Sequence, residues 1–129
     1  VMIGHSRVLD PKHRDPYMAK QIGRRLLIKA AQRLRRAELL AGALSLSVRT
    51  TDGDRWSIDE TCPAMDDNLG FVRLYTKLWD GMIENLRPYR LKKISVVFHR
   101  LSTPTCVTDN LIEFSDTKSP LIFRIYYIS

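Results

Sequence analysis

The spacing of apolar and polar positions changes character several times along the chain, and each change predicts an element. Positions 2–9 mix β-branched and aliphatic residues and stop at Asp10-Pro11, a pair that favours a turn, so they predict a first strand. From Asp15 the period lengthens. Asp15 suits an N-cap and Pro16 the first helical position, while Ala19, Ile22, Leu26, Ala30 and Leu34 recur at three- and four-residue spacing, widened by Gly23 and Leu27. That is a long helix with one apolar stripe, its remaining circumference carrying Lys20, Arg24, Arg25, Lys29, Gln32, Arg33, Arg35 and Arg36. The period then drops to two: Leu44, Leu46 and Val48 alternate with Ala43, Ser45, Ser47 and Arg49. After Thr51-Asp52-Gly53-Asp54, which holds the Asp-Gly pair of a tight hairpin, Trp56 and Ile58 resume the alternation against Arg55, Ser57 and Asp59. Pro63 is expected to end this strand.

Asp66, Asp67 and Asn68 supply caps for a second helix, whose stripe is Phe71, Tyr75, Leu78, Met82 and Leu86, broadened by Leu74 and Trp79. Arg87-Pro88 closes it. Ile94, Val96 and Phe98 then alternate with Ser95, Val97 and His99 in a fourth strand that ends near Thr103-Pro104. The economical architecture is α+β: a four-stranded, antiparallel-rich sheet in the order strand, helix, strand, strand, helix, strand, with two helices packed on one face. The other face is left open. On it this reading places Ser45, Ser47, Arg49, Arg55, Ser57, Lys93, Ser95 and His99, with His5 and Arg7 from the first strand. Residues 1–103 form the domain and 104–129 a tail, in which Leu121 to Ile128 has the composition of one extra strand or of an exposed sticky segment.

Composition sharpens this picture. A chain of 129 residues with 44% hydrophobic and 27% charged side chains holds one globular core, which excludes a complete multi-domain enzyme. Its 21 basic and 14 acidic residues leave a net charge of +7, which favours a polyanionic partner. The excess lies early: residues 1–50 carry 11 basic against 3 acidic side chains, 51–90 carry 5 against 8, and 91–129 carry 5 against 3. Small hydroxyls and cations on an exposed sheet suit a sugar-phosphate backbone.

Other chemistry is poorly supplied. Cys62 and Cys106 lie far apart, with neither a disulfide framework nor a zinc spacing, and read as reduced thiols. Asp66 and Asp67 stand where a helix needs its cap, with no third carboxylate placed to join them around a metal. No triad or phosphate loop is visible. No apolar run reaches the about 20 residues of a membrane span and no signal peptide opens the chain, so a cytoplasmic setting is expected. The start at Val1 reads as a piece of a longer protein.

Against this background, Ile3-Gly4-His5-Ser6-Arg7-Val8-Leu9-Asp10-Pro11 resembles the I-G-H-x-R-x-φ entry, φ being apolar, into the little finger domain of Y-family, DinB/UmuC-type translesion DNA polymerases. The basic helix ending Ala31-Gln32-Arg33-Leu34-Arg35-Arg36 and the strand Leu44-Ser45-Leu46-Ser47-Val48-Arg49 are similar too, and the likeness extends over residues 1–103. It implies a domain that grips double-stranded or primer–template DNA through backbone amides and polar side chains of its open sheet, across the major groove. Carried over by position, the implied DNA-binding residues are Gly4, His5, Arg7, Ser45, Ser47, Arg49, Lys93, Ser95 and His99, and Arg55 flanks the same hairpin. Catalytic carboxylates and their magnesium belong to the palm of such polymerases, so the resemblance implies a fragment with no cofactor and no catalysis of its own. A sliding clamp is a further implied partner through Asn110-Leu111-Ile112-Glu113-Phe114, a degenerate form of the family's Q-L-x-L-F peptide. Two alternatives stay open: an RNA-binding module of the RRM type, with the same element order, and a protein-interaction or dimerisation domain using the tail strand.

Overall fold

The computed structural model describes residues 2–104. Strand β1 (Ile3–Val8) leads through a single turn at Pro11–His13 into helix α1 (Pro16–Arg36). Strands β2 (Leu40–Thr50) and β3 (Arg55–Met65) form a hairpin, helix α2 (Asn68–Leu86) follows, and β4 (Leu91–Ser102) closes the order. The expected caps form. Asp15 Oδ2 accepts from the Met18 amide at 3.0 Å, and Asp67 Oδ2 from the Gly70 amide at 2.8 Å, satisfying amides that have no partner within the helix. Asp67 is thus used as a cap.

The sheet order is β1-β4-β2-β3 and every pairing is antiparallel. Both helices cover one face. Leu44, Leu46 and Val48 of β2 stand opposite Phe98, Val96 and Ile94 of β4, and all six are buried under Ile22, Leu26, Ala30 and Leu34 of α1 and Phe71, Tyr75, Leu78 and Met82 of α2. Phe71 and Phe98 meet with ring centroids 4.3 Å apart, a contact that ties α2 to the central strand β4. The two helices approach closely at Gly23. A Cβ there would lie 2.2 Å from the Tyr75 hydroxyl, which donates to the Lys20 carbonyl at 2.9 Å. Burial holds the Tyr75 phenol above its ordinary range, so it remains a donor.

Two expectations need correction. Pro63 does not end β3, which continues to Met65. β3 is an edge strand, and between the pairs Ala43↔Thr61 and Ala41↔Met65 it carries three residues where β2 carries Gly42 alone. Pro63 sits in that bulge, where the ladder asks for no N–H. The second correction concerns β1. Its register sets Ile3, His5 and Arg7 opposite Phe98, Val96 and Ile94, so His5 and Arg7 share the helix-covered side with Ile3, and Gly4, Ser6 and Val8 face the open side. Charge is tolerated in the inward phase there because β1 is the other edge of the sheet, where His5 stays half-buried and Arg7 exposed.

Candidate nucleic-acid interface

The antiparallel register sorts the open face into rows that run across the strands, because residues directly opposite project on the same side. One row is Arg55–Arg49–Lys93, from β3, β2 and β4, with Val8 of β1 at its end. The next is Ser57–Ser47–Ser95–Ser6, one serine from each of the four strands. Rows lie about 7 Å apart along a strand, and at about 4.8 Å between strands the serine row spans about 14 Å.

Three cations placed directly opposite one another repel, and such pairs weaken a sheet. Among the described residues none of the three has an ion pair or hydrogen bond through its side chain. Arg55 and Lys93 are exposed and Arg49 is half-buried. In the serine row, Ser47 Oγ and Ser57 Oγ lie 2.9 Å apart; one donates to the other, so the pair keeps one proton and its remaining lone pairs for a further partner. The face therefore offers positive charge and hydroxyl donors side by side, the two group types that bind phosphate oxygens.

The third row is different. Asp59, Ser45 and Val97 stand opposite one another there, beside Gly4 of β1. Ser45 Oγ donates to Asp59 Oδ1 and lies 2.7 Å from His99 Nε2, which reaches over from the fourth row. Since the serine proton goes to the carboxylate, the imidazole must carry its proton on Nε2 and donate. The order of contacts, with serine between acid and imidazole, is not that of a nucleophile activated by a histidine.

Of the residues expected at this interface, Ser45, Ser47, Arg49, Arg55, Lys93, Ser95 and His99 come together on the open face. His5 and Arg7 do not. Desolvation, and after it Arg33 and Lys29 of α1, hold the His5 imidazole below its ordinary range, which favours its neutral form. Gly4 is on the open side but has a packing reason to be glycine: a Cβ would approach the Val96 carbonyl to 2.6 Å. Arg33 donates to the Gly4 carbonyl at 3.1 Å, and Arg35 to the Asp66 carbonyl at 2.8 Å, so part of the basic helix face serves internal contacts. Sequence reasoning missed Ser6 and Asp59 as members of the face. The alternation of Asp59 with Ile58 was the available signal for the acid, and the phase of Ile3 was the signal for Ser6.

Among the described residues the open face holds no Phe, Tyr or Trp; Trp56 and Phe98 point to the helix side. Base stacking of the RRM kind lacks its platform there. No helix among the described residues is long and apolar enough to cross a membrane. The clamp-peptide candidate at 110–114, the tail strand and Cys106 lie outside the described residues.

The family model described as the impB/mucB/samB family C-terminal domain matches residues 2–111. Among solved structures, the complex of the beta-clamp processivity factor and the little finger domain of PolIV superposes with a TM-score of 0.57 at 14% identity, covering 76% of this chain and 86% of that one. The insertion ternary complex of Dbh DNA polymerase gives a TM-score of 0.68 at 11% identity, over 80% of this chain and 29% of the polymerase. The post-insertion binary complex of the same polymerase gives 0.63 at 12% identity, again over 29% of its length. The chain thus spans under a third of those polymerases, and at such identities the likeness is one of fold. No curated protein sequence matches the chain significantly.

Proposed function

We propose, for a chain that belongs to the impB/mucB/samB family of C-terminal domains, the little finger of Y-family DNA polymerases, that it is the non-catalytic DNA grip of such a polymerase. It holds primer–template duplex by the sugar-phosphate backbone during translesion synthesis in the cytoplasm, while chemistry and its magnesium belong to a palm domain. The observation that carries this reading is the unpaired row Arg55–Arg49–Lys93 beside a serine row that crosses all four strands. Repelling cations weaken the free sheet and become favourable only against an anion. The serine row's about 14 Å compares with a major groove about 12 Å wide, so a sheet laid over the groove reaches the phosphates on both rims. Neither row distinguishes bases, and the binding is expected to be independent of sequence.

A little finger solved in complex with a beta-clamp supports a clamp as a second partner of the parent protein. The RRM reading is the rival from another class, and competition binding separates the two. With labelled primer–template duplex bound to the chain, unlabelled duplex is expected to displace it at lower concentration than single-stranded RNA of equal length. Preferential displacement by the RNA would overturn the proposal.

A further inference from the structure

Asp59 is the one acid among the described residues of the open face, and it occupies a costly place for a surface that meets phosphate. It stands on β3 directly opposite Ser45, one row beyond the serines and two rows from the cations. Its carboxylate does not point away from the sheet. It receives the Ser45 hydroxyl and lies 3.9 Å from His99 Nε2, so it leans over β2 toward β4. The side chain is still 67% exposed, and an anion laid on the third row would meet it through little shielding. Lys77 pairs with Glu60 on the helix side of β3, at 3.1 Å, and the basic face of α1 is likewise on that side; neither neutralises Asp59. Arg55 and Arg49, at about 14 Å along their strands, are beyond a Debye length at physiological salt.

Resting on the reading of this face as a duplex grip, we infer that Asp59 is a register-setting residue: its charge bars the phosphate backbone from the third row and confines it to the cation and serine rows. The residue thereby trades affinity for a defined position of the duplex on the sheet. The hydrogen bond from Ser45 supports this use, because it holds the carboxylate over the sheet and fixes where the repulsion acts. A carboxylate retained only for solubility has no need to be anchored inward.

The test compares duplex binding by the wild-type chain, Asp59→Asn and Ser45→Ala, by fluorescence anisotropy over a salt series. Asparagine keeps an acceptor for Ser45 and removes only the charge. Asp59→Asn is expected to bind about three- to tenfold tighter at low salt, the gain shrinking as salt rises, while Ser45→Ala, which keeps the charge, gives no comparable gain. Wild type binding duplex with Asp59→Asn no tighter would overturn this inference and leave the grip intact. If neither protein binds duplex, the grip itself fails and the inference with it.

Discussion

Arg49 has a cation directly opposite on each side, Arg55 on β3 and Lys93 on β4, and no described acid answers any of them. On the proposed function this placement of Arg49 serves binding at a cost to the free fold. Replacing it should therefore separate stability from binding: Arg49→Gln is expected to raise the unfolding free energy by a few tenths of a kcal/mol, seen in urea titration, by relieving repulsion. The same variant should bind duplex more weakly, its log–log salt slope shallower by about 0.9, the amount for one phosphate contact. His5 shows the opposite arrangement. Desolvation, then Arg33 and Lys29, lower its pKa in the fold, so the unfolded chain takes up the proton first and stability falls as pH drops through about 6.5. NMR titration should find His5 below its ordinary value, and Arg33→Gln should move it part of the way back. Its inward side was not legible in the sequence, where the assumed phase of the first strand and then the motif both put His5 on the open face.

At the level of elements, the helices and the inner strands were legible because their apolar stripes are long and regular: Ala19 to Leu34, Phe71 to Met82, and the alternations of β2 and β4 all point where the register requires. The edges were not. β1 is six residues long with one buried anchor, Ile3, so its phase rests on a single residue, and polar side chains pass at the rim on either face. β3 tolerates Pro63 because an edge strand with a bulge leaves one side of its backbone unpaired. Pairing is a property of two elements, and a proline read alone does not reveal that the partner lies on one side only. The contact between helices is equally non-local. Gly23 falls inside a strong helical stripe, yet its role is set by Tyr75, fifty-two positions away, whose hydroxyl fills the space a methyl would need. Gly23→Ala is expected to lower stability by about 1–3 kcal/mol by forcing the helices apart, despite alanine's better helix propensity. Urea unfolding measures it, and a stabilised variant would show that the helices reseat freely.

For the molecule as a whole, the basic excess divides between two sides that do different things. The α1 side is covered with arginine and lysine, yet Arg33 and Arg35 are engaged with carbonyls of β1 and of the segment before α2. The open side has fewer charges, but they are aligned, unanswered and bordered by hydroxyls. Net charge alone pointed toward a polyanion and the strand alternation pointed to the open face; the register adds that Arg55, Arg49 and Lys93 share one row there, and it also brings Asp59 onto the face. The central claim is tested most directly by the salt dependence of duplex binding for the wild-type chain and for the triple variant Arg49→Gln, Arg55→Gln, Lys93→Gln. A grip through this row predicts a log–log slope shallower by about 2.7 in the triple variant, three phosphates at about 0.9 each, with the fold retained. An unchanged slope and affinity would contradict it and move the contact to the helix side.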